Sequence, residues 1–134
     1  ILLAAHLNGD LPSDLSAELL HVHGLDRGEV ISSLYQHPNP SRYLAQFAPI
    51  VKEWIGRSTY LEVAVMKRYR LLVAKFLLPL CRSYNVPKVA FVGSVAVHFK
   101  PQIELALKEK SLGIKKIIGA PIDDLISFHQ QVLR

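Results

Sequence analysis

The chain has one cysteine, Cys81, among its 134 residues. A single thiol excludes an intrachain disulfide and is compatible with a reducing compartment. With no His/Asn frame near it in sequence, Cys81 reads as a structural thiol rather than a nucleophile. Acidic residues are few, 11 against 16 Lys and Arg, and most of them sit where helices are expected to start. Long apolar runs are missing as well. The longest, from Leu71 to Cys81, is interrupted by Lys75 and Pro79. It is far short of the roughly 20 residues that a bilayer span needs, and it is read instead as part of a buried helix. Repeats, low-complexity stretches, a Walker phosphate loop and a Gly-x-Ser-x-Gly elbow are all absent from the sequence.

Half of the residues are hydrophobic and mean hydropathy is +0.22. That composition excludes disorder and suits one domain spanning 1–134, large enough to bury a core. It is apolar enough to suit a piece that packs against a further half. The chain opens at Ile1 without an initiating methionine, which points to a processed product, an isolated domain or part of something longer. Net charge is +5. The clusters Lys67-Arg68-Arg70 and Lys115-Lys116 come with no nucleic-acid-binding motif, so solvated helix faces account for them and no nucleic-acid partner is expected.

Punctuation divides the chain into a helical front, 1–83, and an α/β back, 84–134. The expected helices of the front are these. Residues 1–7 form the first, stopped at Asn8-Gly9. The second is capped by Ser13 and ends before Gly24. A third has the Asp26/Glu29 spacing of a capping box and runs to Gln36. A fourth opens at Asn39-Pro40, is bent by Pro49 and is ended by Gly56, with Tyr43, Leu44, Phe47, Ile50, Val51, Trp54 and Ile55 on one stripe. Residues 59–83 form a fifth, mostly buried helix, bent or broken near Pro79. The back is read as strand 88–92, helix 97–111, strand 114–118 and helix 121–133, a β-α-β-α order whose right-handed crossover makes the strands parallel.

Lys88 to Phe99, KVAFVGSVAVHF, is the most informative stretch. An apolar run suited to a strand covered on both faces ends at Gly93-Ser94 and passes straight into a helix. In open α/β sheets, ligands lie in the crevice beyond the carboxyl ends of such strands. By residue type alone, this is a strand-to-helix turn with a crevice at Gly93. Six histidines are present, but His21 and His23 point apart on a helix, and no Cys or acidic partners stand at zinc spacing. No metal site is expected. His129 falls on the stripe Ile122, Leu125, Ile126, Val132, Leu133 and reads as a half-buried packing residue.

FVGSVAVHF, together with IKKIIGAPIDDLISFHQ, HLNGDLP and HPNPSRYLAQFAPIV, resembles the C-terminal part of bacterial N-acetylglucosamine kinase-like proteins. These are BadF/BadG-type ATPases of the acetate and sugar kinase, Hsp70 and actin superfamily. The resemblance is strongest over 86–99, 117–129 and 35–51 and weak over 57–82. It implies a ribonuclease-H-like, actin-like ATPase domain that forms the C-terminal half of a two-domain cytoplasmic kinase. It also implies ATP as cofactor, with adenosine held by Gly93, Ser94, Val95, Ala96 and His98 at the position of the family's Gly-Gly adenosine motif. Ser94 departs from the second glycine of that motif, and Val97-His98 from the aromatics expected next.

The phosphate loops, the catalytic aspartate, the Mg ligands and most contacts to an amino sugar would lie outside these residues. The chain alone would then have no catalytic residue. A homodimer is left open, and no membrane partner is implied. Two other classes stand beside the kinase fragment. One is an ATP-binding, non-kinase superfamily member activating an electron-transfer partner, against which the single Cys81 argues for any iron–sulfur cluster within this part. The other is a non-enzymatic helical interaction domain.

Overall fold

The computed structural model describes residues 1–24, 26–122, 126, 129 and 130. It separates into two compact units, Ile1–Val65 and Met66–Arg134, with the division falling inside one helix.

The first unit is helical among its described residues. Helix α1 (Leu2–Asn8) ends at Gly9, and α2 (Ser13–His23) at Gly24. Ser13 does not cap α2 as its residue type suggests. Pro12 turns the chain in, its carbonyl accepting from the Ser16 amide at 2.9 Å, and Ser13 is already the first helical residue. A partly buried hydrogen bond of 2.9 Å between His6 Nδ1 and Ser16 Oγ joins these helices. Helix α3 (Arg27–Gln36) is capped by Asp26, the Gly28 amide donating to its Oδ2 at 3.1 Å. The box with Glu29 does not close, since the Asp26 amide donates to the Gly24 carbonyl at 3.2 Å.

The stretch expected as one bent helix is two, α4 (Pro40–Ala45) and α5 (Ala48–Ile55). Asn39 caps the first by accepting from the Arg42 amide at 3.0 Å. Pro49 occupies the first turn of the second, where its missing N–H costs nothing, so the chain restarts there instead of bending. Phe47, Val51 and Trp54 of the expected stripe are buried, whereas Leu44 is 46% exposed.

Helix α6 (Thr59–Leu72) runs into a π-helical turn, Val73–Leu77, and then α7 (Leu78–Ser83). The Leu78 amide reaches back five residues to the Val73 carbonyl. Pro79 has no amide to offer the preceding turn, and the ladder widens just before it. Val73 and Cys81 are buried, and Leu77 packs against the core. Leu72, Phe76, Leu80 and Tyr84, spaced by four along the neighbouring stripe, are 37–75% exposed. The expectation of a mostly buried helix therefore fails: one stripe is covered and the adjacent one faces solvent.

The second unit holds a two-stranded parallel sheet of β1 (Lys88–Val92) and β2 (Gly113–Ile118). Between them stand α8 (Ser94–His98) and α9 (Lys100–Lys108). Its core is Met66, Val73, Ile103, Ala106 and Leu107, with Tyr69, Phe91, Ala96, Leu112 and Ile114 packed against it. The helix expected over 97–111 is broken at Phe99, because Pro101 has no amide for the Val97 carbonyl and sits instead in the first turn of α9. Strand β1 was expected to be covered on both faces, but its residues alternate, Val89 and Phe91 half-buried between exposed Lys88, Ala90 and Val92. In β2, by contrast, the consecutive Ile117 and Ile118 are both half-buried.

The register slips by one between Val89 and Ala90, opposite Lys115. Such a bulge interrupts the alternation of faces, and Lys115 and Lys116 are both exposed. The helix expected at 121–133 lies mostly outside the described residues. Pro121, Ile122, Ile126, His129 and Gln130 are helical, and His129 is exposed rather than half-buried.

Candidate functional site at the strand ends

The two parallel strands finish level with each other, Val92 paired with Ile118. One residue further on, the Gly93 amide donates to the Ile118 carbonyl at 2.8 Å. Gly93 has φ 119° and ψ 153°, a region open essentially to glycine alone. That conformation turns the strand directly into α8, whose first residue is Ser94. A Cβ built on Gly93 would meet nothing within 4 Å. Among the described residues, the space beside the turn is therefore open where a side chain would stand.

The five residues singled out from the sequence are not equivalent. Gly93, Ser94 and Val95 form the open side, with Ser94 exposed and Val95 37% exposed. Ala96 is turned the other way and packs against the core, while its amide donates to the Gly93 carbonyl at 3.2 Å. Its role in the fold is to anchor α8. His98 is half-buried in the last turn of α8, next to Phe99. Phe99 is buried, with its ring 5.9 Å from that of Tyr69.

Sequence reasoning passed over Gly119. It follows β2 as Gly93 follows β1, and the two segments share a pattern, an apolar strand end followed by Gly and a small residue (FVGS and IIGA). Here the constraint is space. A Cβ on Gly119 would lie 3.2 Å from Val97 Cγ2 of α8.

The site is built from backbone, one hydroxyl, aliphatic side chains and the His98 imidazole. Residues 88–98 and 113–122 contain no Asp or Glu, so these segments offer no carboxylate base and no carboxylate ligand for a metal ion. Among the described residues the turn presents backbone, the Ser94 hydroxyl and Val95, with the His98 imidazole half-buried at the end of the same helix. Among the described residues no group of three or more His, Cys, Asp or Glu is placed to hold a metal ion, and no helix is long and apolar enough to cross a membrane.

No protein-family model matches the chain, and no curated protein does. Among solved structures it is similar to a Porphyromonas gingivalis protein described as a "Putative N-acetylglucosamine Kinase". The TM-score is 0.80 at 25% identity, over 97% of this chain and 45% of that one. The fold, mainly helical with a small parallel sheet among the described residues, is thus similar to part of that kinase-like structure. The chain spans less than half the length of this structural neighbour.

Proposed function

We propose that this chain is the nucleotide-holding part of an ATP-dependent kinase acting on N-acetylglucosamine or a related amino sugar. The observation that carries this reading is the structural match along 97% of the chain to a protein described as such a kinase. The open glycine turn at the carboxyl ends of two parallel strands agrees with it, since nucleotides favour that position in α/β folds. In this reading the chain is the C-terminal part of a ribonuclease-H-like, BadF/BadG-type domain of a cytoplasmic enzyme. Adenosine lies beside Gly93, Ser94 and Val95, and His98 borders the same helix. The phosphate-binding loops, the Mg ligands, the base and most of the sugar site belong to a part of the enzyme beyond these residues.

Phosphoryl transfer needs metal, phosphate-cradling amides and a base held together, so the chain alone is expected to bind ATP without turning it over. The test is a pair of assays on the purified 134-residue chain. ATP binding by calorimetry should be detected, and phosphorylation of N-acetylglucosamine should stay at the level of a buffer control. Sugar phosphate formed in proportion to protein, or no ATP binding at millimolar nucleotide, would overturn the reading.

A further inference from the structure

We propose that Gly119 is a positioning residue for the Gly93 turn: its missing side chain lets Val97 seat α8 on the end of β2. Two glycines stand level at the ends of paired strands, yet their surroundings differ. Gly93 adopts a backbone conformation that side chains avoid and faces open space. Gly119 lies outside the left-handed region, so alanine is conformationally allowed there, but its Cβ would come within 3.2 Å of Val97 Cγ2. Few real Cβ contacts are that short, so Val97 would have to move.

Val97 belongs to a five-residue helix that begins at Ser94, directly after the turn. That helix is fixed at two other points. Ala96 packs into the core, and its amide holds the Gly93 carbonyl at 3.2 Å. A push on Val97 is therefore transmitted to Gly93, whose N–H donates to the Ile118 carbonyl and so links the turn to β2. Gly119 then acts on any ligand at the turn through α8. This second step rests on the nucleotide reading given above; the seating itself does not.

Compensating substitutions test it in the full chain. Gly119→Ala introduces the clash, Val97→Ala removes the γ carbons it meets, and the double variant should restore the seat. The first readout is hydrogen exchange of the Gly93 amide, which needs no ligand. Gly119→Ala should speed it about tenfold, as a local opening would, and Val97→Ala/Gly119→Ala should return it to within a factor of about three. The second readout is ATP affinity, which should fall about tenfold and recover in the same pattern. A uniform loss of stability would lower the melting temperature of Gly119→Ala without rescue by Val97→Ala, and that result overturns the proposal. Unchanged Gly93 exchange in Gly119→Ala also overturns it, because Val97, 47% exposed, would then have rotated aside. If the unaltered chain binds no ATP, the nucleotide reading fails, while the exchange data still decide the seating.

Discussion

The indole N–H of Trp54 donates to Glu18 Oε1 at 3.2 Å, joining α5 to α2 within the first unit. Trp54 is fully buried, and the other oxygen of the same carboxylate accepts from Arg57 at 3.0 Å. The Arg57 guanidinium also lies 5.9 Å from the Trp54 ring centroid. One carboxylate thus satisfies a buried donor and a surface cation together.

Glu18→Ala should therefore cost more than Arg57→Ala. The first strips the indole of this partner, and a buried donor losing a partner costs about 1–3 kcal/mol. The second removes a half-exposed ion pair and a cation–π contact, each about 0–1 kcal/mol. Chemical denaturation of the two variants checks the order, and an equal loss would contradict it.

Tyr69 gives an alkaline prediction. Burial against the core pushes its phenol from 10.0 up to about 12, because desolvation disfavours the charged form. The folded state holds this proton more tightly than the unfolded one. Its contribution to stability is therefore complete below pH 10 and is lost as pH rises through about 12. Ultraviolet titration should show a phenol ionising late, at about pH 12, and Tyr69→Phe should remove that late step. If the late step persists in Tyr69→Phe, the assignment is wrong.

Glu109 gives the acid counterpart. Arg70 donates to it through Nε and Nη2, with distances of 2.8–3.1 Å. That hydrogen bonding holds the carboxyl below the ordinary glutamate value. A lowered folded pKa means stability present above the unfolded value and lost as pH falls through the folded one. Both side chains are solvated, so the effect is small and screened by salt. A carboxyl NMR titration should place Glu109 below the ordinary glutamate value in the wild type and move it upward in Arg70→Ala. Identical midpoints in the two proteins would contradict this.

The exposed stripe Leu72, Phe76, Leu80 and Tyr84 should bind a hydrophobic dye. Phe76→Ser with Leu80→Ser should reduce dye fluorescence while changing stability by only about 0.5 kcal/mol per site, as solvent-facing substitutions do. A large drop in melting temperature would show that the stripe is packed.

Local chemistry made much of this fold readable. Asp26 and Asn39 cap the helices they were expected to cap, and Val89 to Val92 form the strand that their β-rich, apolar pattern implies. The misplaced breaks have one cause. Pro49 and Pro101 each sit in the first turn of a new helix, and a periodic apolar stripe runs across such a break without marking it. Burial of Leu72, Phe76 and Leu80 was misjudged because hydropathy reports that a side chain is apolar, not whether another element covers it. At the site, Gly93 was legible from a strand ending in glycine. The importance of Gly119 rests on Val97, 22 positions earlier in the chain, and only the folded arrangement brings the two together.

The central claim is that the turn at Gly93 seats a nucleotide, and substitution of Gly93 itself cannot test it cleanly. Any side chain there is strained by φ 119° whether or not a ligand binds. The direct measurement is an amide NMR titration of the 134-residue chain with ATP, beside Ser94→Tyr, which fills the open side without asking for an unusual φ. The account predicts the largest shift changes at Gly93, Ser94 and Val95. In Ser94→Tyr the affinity should be about tenfold weaker or worse, a loss of about 1.4 kcal/mol, with an unchanged melting temperature. Shifts confined to residues 1–65, or full affinity in Ser94→Tyr, would contradict it.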